Sequence, residues 1–136
     1  MNIKKSLILL TVLLLSSITS QAHSSSICEE AAKGLTETNA TFSQYFDSYI
    51  KNHSAAGYAK IRDVYATSDN NEYQFKLYCG NNVLLLTRSR SGGLRDLKTG
   101  QQVSFSGNVE GWSKQFYRDS DKYYIEITLG YSSITY

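Results

Sequence analysis

The sequence has no proline, one tryptophan, one methionine, two histidines and two cysteines in 136 residues, and its formal net charge is only +2. Without proline there is no polyproline spacer. His23, His53, Cys28 and Cys79 form neither a CxxC redox pair nor a zinc-ligand spacing, so no metal and no cofactor are expected. So small a charge gives no reason to expect a nucleic-acid partner. The length allows one domain and excludes a TIM barrel or a Rossmann pair. No apolar run reaches the roughly 20 residues that span a bilayer. An apolar content of 41% argues against disorder. What the chain has in quantity is aromatics: eleven tyrosines, five phenylalanines and Trp112.

Residues 1–22 read as a secretory signal peptide. Lys4 and Lys5 supply the charged start, Leu7 to Leu15 the apolar stretch, and Ser20-Gln21-Ala22 a small-x-small site with cleavage after Ala22. No cysteine follows that site, so a lipoprotein anchor is not expected, and no membrane span remains after cleavage. The leader takes two of the fourteen cationic residues; the remaining twelve match the twelve acidic ones, so the mature chain is expected to be neutral. The location implied is periplasmic or secreted, in a Gram-negative bacterium. In such a chain Cys28 and Cys79 are expected to form a structural disulfide. It would close a loop of about 50 residues and stabilise the fold by about 3–4 kcal/mol.

Periodicity divides the mature chain in two. Residues 23–56 read as an N-terminal helical extension. A short helix starts near Ser25 or Ser26, with Gly34 closing it. A second carries Phe42, Tyr45, Phe46, Tyr49 and Ile50 at i, i+3, i+4, i+7 and i+8, capped by Thr38 or Asn39. Residues 57–136 switch to a period of two. The first strand runs from Tyr58 to Thr67, with a phase slip before Val64 that a β-bulge would produce. After the turn Ser68-Asp69-Asn70-Asn71, Tyr73, Phe75, Leu77 and Cys79 share the inner face of the second strand. Gly80-Asn81-Asn82 makes a tight turn into a third, Val83 to Arg88, apolar enough to be covered on both faces. Gly92-Gly93 opens a helical turn that tucks in Leu94 and Leu97. Gln101 to Trp112 is the fourth strand, where Gly107 suggests a bend or close backbone approach. Ser113 to Lys122 reads as a polar loop, Tyr123 to Leu129 as the fifth strand, and the tail as a short edge strand. The fold class expected is mainly β with a helical extension.

Three strands, a short helix and two more strands, together with the run Leu94-x-x-Leu97-Lys98-x-Gly100-Gln101-x-Val103-x-Phe105-Ser106-Gly107-x-Val109, resemble bacterial oligonucleotide/oligosaccharide-binding (OB) domains of the tRNA-anticodon-like type. The resemblance implies a five-stranded Greek-key barrel with the leucines in the helix between strands three and four. It implies that Gly100 ends that helix and Gly107 bends strand four for closure. It says almost nothing of function, and neither the helical extension nor the cysteine pair belongs to the family core.

Catalytic material is scarce. No G-x-S-x-G context surrounds any serine, Asp119 and Asp121 read as a solvated turn, and a small hydrolase would need His53 beside a serine or an acid. No catalytic residue is assigned. Binding has more material. Trp112, Lys114, Phe116, Tyr117 and Arg118 interleave aromatics with cations between strands four and five, a ligand rim in OB domains, with packing of some rings into the core as the plain alternative. Arg88, Arg90, Arg95 and Lys98 form a weaker anion-binding candidate, balanced by pairing with Glu29, Glu30, Glu37 and Asp47. The function expected is an exported, non-enzymatic binding protein that takes a protein or a glycan. The alternatives are an inhibitor- or immunity-type protein, a single-stranded nucleic-acid binder and a toxin-like receptor-binding subunit.

Overall fold

The computed structural model describes residues 26–67, 71–90 and 94–136. The expected leader, residues 23–25, most of the turn after the first strand, the Gly92-Gly93 pair and the Arg95 side chain lie outside the described residues. Two helices, α1 (Ser26–Ala32) and α2 (Asn39–Tyr49), precede six strands: β1 (Ser54–Ala66), β2 (Tyr73–Tyr78), β3 (Val83–Ser89), β4 (Gln102–Tyr117), β5 (Lys122–Tyr131) and β6 (Ser133–Thr135). Short 3-10 turns cover Lys33–Leu35 and Leu94–Asp96.

The sheet order is β1-β2-β3-β5-β4-β6, and β1 also pairs with β4, so five strands form a closed ring. All neighbours are antiparallel except β3 and β5, which run parallel because the chain leaves β3, makes β4, and returns to fill the gap. β1 serves two partners. Residues 54–60 pair with β4 and residues 60–66 with β2. The register breaks between Ile61 and Asp63, where Arg62 is the extra residue, as the phase slip in the sequence suggested.

Alternation in β2 and β4 puts Phe75, Leu77, Val103, Phe105 and Val109 inside, with Ile125, Ile127 and Leu129 from β5 facing them. Leu94 and Leu97 are buried beneath the ring from the turn before β4. α2 is capped by Thr38, whose Oγ1 accepts a hydrogen bond from the Thr41 amide at 3.3 Å. Its apolar stripe buries Phe42, Phe46 and Ile50 in the same core, while Tyr49 stays exposed at the stripe's margin. Cys28 and Cys79 are bonded and fasten α1 to the end of β2. Such a bond fits an oxidising, non-cytoplasmic environment. Among the described residues no helix is long and apolar enough to cross a membrane.

Two turns and one close contact depend on backbone geometry. Gly80, Asn81 and Asn82 all have positive φ, which is why glycine and asparagine occupy the β2–β3 turn. At Gly107 a Cβ would collide with Ser132 Oγ, so β4 approaches the β5–β6 junction only because the side chain is missing. Ser132 is held there by a 2.6 Å hydrogen bond from Thr87 Oγ1 and by its amide donating to the Arg88 carbonyl.

Two boundaries differ from the sequence reading. β1 begins at Ser54, not Tyr58, because Ala55 and Ala59 are small enough to face inward opposite Gly107 and Val103. β4 does not end at Trp112 but continues to Tyr117, and the segment expected as a loop, Ser113 to Lys122, is mostly hairpin. Only Arg118 to Asp121 turns the chain.

Candidate functional site

The β4–β5 hairpin carries most of the residues singled out for binding, and its register decides which of them are free. Between Val109 and Gly111 the ladder shifts by one residue at Glu110. Beyond the shift, Trp112, Lys114 and Phe116 lie opposite Ile127, Ile125 and Tyr123 on one face. Ser113, Gln115 and Tyr117 lie opposite Glu126, Tyr124 and Lys122 on the other. β3 accompanies β5 only as far as Val83 opposite Ile125. The last three residue pairs and the turn therefore have no third strand beside them, and they project about 10 Å at the usual strand rise.

Trp112 lies at the base of this arm and packs against α2. Its ring meets Phe42 edge-on at 4.7 Å between centroids and Phe46 at 6.4 Å. The indole thus leaves the exposed cluster in which the sequence placed it and joins the packed core.

Tyr117 is also engaged. Its hydroxyl donates to the nearly buried Glu126 carboxylate, its ring meets Tyr124 edge-on at 5.2 Å, and the Arg62 guanidinium lies 4.6 Å from its centroid. Arg62 also lies 5.8 Å from Tyr124, and the Lys76 ammonium 5.8 Å from Tyr117. Burial first, then the Glu126 hydrogen bond and charge, push the Tyr117 phenol up to about 12. This face of the arm is therefore fastened onto β1 and β2. The bulge puts Arg62 there, and the period-two pattern of β1 gives no means of reading its direction.

Beyond Trp112 the opposite face is open. Phe116 and Tyr123 pair at 5.0 Å and remain 47% and 55% exposed. Lys114 Nζ lies 5.5 Å from the Tyr123 centroid. Arg118 is exposed in the turn. Of the five hairpin candidates, Lys114 and Phe116 share this face with Tyr123, which the sequence reading did not single out, and Arg118 lies in the turn beyond it. The signal was there in Tyr123-Tyr124, two adjacent aromatics whose side chains must point to opposite faces of a strand.

The structure does not bring Arg88, Arg90 and Lys98 together as one patch on a helix. Arg90 Nε lies 3.9 Å from the buried Glu72 carboxylate, and its Nη2 donates to Tyr131 OH at 3.1 Å. The acidic partner is thus Glu72 of the β2 approach, not the N-terminal segment. Arg88 is exposed on β3 and Lys98 is exposed beside the turn before β4. His53 Nδ1 donates to the Lys51 carbonyl at 3.1 Å, while Ser54 Oγ donates to Asn108, so the adjacent serine is not hydrogen-bonded to the imidazole. Among the described residues no three His, Cys, Asp or Glu side chains converge as metal ligands.

No protein-family model matches the chain, and no curated protein is similar to it. Among solved structures it is similar to an aspartyl tRNA synthetase from Entamoeba histolytica, with a TM-score of 0.41 and 10% identity over 62% of this chain and 19% of that one.

Proposed function

We propose that this chain is an exported, non-enzymatic binding module with an OB-type Greek-key barrel, and that it engages a protein or a glycan through the tip of its β4–β5 hairpin. The OB reading rests on the ring order, the parallel β3–β5 pair and the short helical turn between β3 and β4. Export rests on the leader-like N-terminus and the disulfide.

One observation carries the binding reading: the exposed Phe116–Tyr123 pair with Lys114 beside it, on an arm whose other face is tied down. Aromatic rings held on a rigid element lose little entropy when a partner covers them. Because the arm projects, it suits a partner with a cleft, which favours the inhibitor- or immunity-type version among protein ligands. Single-stranded nucleic acid is the weaker reading, since Arg62, Lys76 and Arg90 each already lie over a tyrosine ring.

The test is a photo-crosslinking residue placed at Phe116, with exposed Gln44 on α2 as the control position, in the exporting cell. Purified chain on a glycan array, with and without the Phe116→Ala/Tyr123→Ala pair, covers the other ligand class. An adduct at position 116 absent at 44, or an array signal lost in the double variant, is the expected result. Neither appearing overturns the reading.

A further inference from the structure

Away from the hairpin, Lys60 occupies a position no other described residue shares. It is the residue at which β1 changes partner, so it is flanked on both sides, by Tyr78 of β2 and by Gln102 of β4. Residues paired across an antiparallel ladder share a face, and so do residues two apart on one strand. Tyr58, Lys60, Tyr78 and Gln102 therefore stand on one outer face, with Lys60 in the middle. They line a groove of about 310 Å³ together with Gly80, beside which nothing lies within 4 Å of where a Cβ would stand.

Tyr58 is 73% exposed and Tyr78 39% exposed. Among the described residues, none of the four side chains has a hydrogen bond, ion pair or ring partner. That sets Lys60 apart from Lys33, Arg62, Lys76, Arg90 and Lys114, each of which lies over a tyrosine ring of its own protein. Lys60 is close to two tyrosines and lies over neither. Among the described residues it is also the only charged one that lines the groove. Glu29 lines an adjoining recess that shares Tyr58 and Cys79 with the groove.

We infer that this groove is a second binding site, for a carboxylated pyranose such as a uronic or sialic acid unit of a glycan. The C–H face of a pyranose ring lies against a phenol ring, as apolar surface does on any aromatic face. The Gln102 amide offers a donor and an acceptor to neighbouring hydroxyls, and the two phenol hydroxyls add more. One ammonium matches one carboxylate. A nucleotide would use the rings but set a dianionic phosphate against a single cation. The size falls at the small end of ligand sites, which suits one sugar ring with the glycan continuing into solvent. The inference does not rest on the hairpin reading.

The test is ligand-observed and 15N-detected NMR titration of the full mature chain with methyl glucuronoside and N-acetylneuraminic acid. Glucose, acetate and uridine monophosphate serve as comparisons. At least one acidic sugar is expected to bind saturably, with shifts centred on residues 58–60, 78–80 and 102. Glucose should bind about tenfold more weakly, and acetate not at all. Lys60→Ala should abolish the preference for the acidic over the neutral sugar, and Tyr58→Ala should abolish binding of both. Gln44→Ala, exposed on α2 and outside both sites, should leave both affinities unchanged. All these side chains are exposed, so the variants keep their melting temperature. Absence of saturable binding by either acidic sugar overturns the proposal. So does acetate or uridine monophosphate binding as tightly as the sugar, or the Lys60 and Tyr58 variants behaving as wild type.

Discussion

On one face of the β4–β5 hairpin, Tyr117 and Tyr124 lie beneath the Arg62 guanidinium, and Tyr117 is bonded to Glu126. On the other, Phe116 and Tyr123 lean on each other with only Lys114 close by, and about half of each ring is open to water. The two faces are alike in kind: each sets a pair of aromatics beside cations, Arg62 and Lys76 on the first and Lys114 on the second. They differ in where the cations come from. Arg62 belongs to β1 and ties the hairpin to another part of the ring, whereas Lys114 belongs to the hairpin itself and fastens it to nothing. An aromatic–cation cluster in a sequence thus has two outcomes, a structural clasp or an exposed contact surface, and strand register chooses between them.

The contrast breaks most severely at the base of the arm. Trp112→Ala removes the ring that Phe42 and Phe46 pack against, and should cost about 3–5 kcal/mol in urea unfolding, as large-to-small aromatic changes in packed sites do. A loss under 1 kcal/mol would mean that the arm needs no support from α2. Next comes the clasp. Tyr117→Phe keeps the ring under Arg62 but leaves the nearly buried Glu126 carboxylate without its donor, with an expected loss of about 1.5–3 kcal/mol.

The same hydroxyl sets a pH dependence. Tyr117 ionises at about 12 in the folded chain and near 10 when unfolded. Below pH 10 both states hold the proton and its contribution is complete. Between pH 10 and 12 the unfolded state releases the proton first, so stability falls as pH rises through that window. Tyr117→Phe should flatten that part of the denaturation profile, and Glu126→Gln should bring the phenol's titration, followed by absorbance, back toward 10. The smallest effect belongs to the free face. Phe116→Ala with Tyr123→Ala should shift stability by no more than about 0.5 kcal/mol while removing ligand capture. A larger loss would show that the pair is part of the packing after all.

Much of the ring was legible in the chain because its inner faces alternate cleanly. Phe75 and Leu77, Val103 and Phe105, and Ile125 and Ile127 each announce a strand with one apolar side. The α2 stripe, the Gly80-Asn81-Asn82 turn and the Gly107 approach follow from local rules of the same kind, and the Cys28–Cys79 bond from there being only two cysteines to pair. The arm was not legible. From Ser113 to Lys122 both faces of the strand carry polar or exposed side chains, so alternation has no contrast to display, and a hairpin there looks like a loop. Nor could the sequence say that Arg62 would reach Tyr117 or that Arg90 would meet Glu72. Those pairs lie 55 and 18 positions apart and are joined only by the way the ring closes. Of the hairpin candidates, the structure sets Trp112 against α2 and Tyr117 under Arg62, and it adds Tyr123 beside Phe116.

The parallel pairing of β3 with β5 has a consequence in time as well as in space. β5 is the wedge between β3 and the outer half of β4, and it is made after both. Until residues 122–131 arrive, those two neighbours each present an unpaired edge, and the apolar residues of β3 lack the strand that covers them. Such non-local closure makes for slow folding. While it emerges the chain can assemble only the open sheet β3-β2-β1-β4, and anything that keeps the exposed edges of that sheet covered, on either side of a membrane, acts in favour of the finished fold.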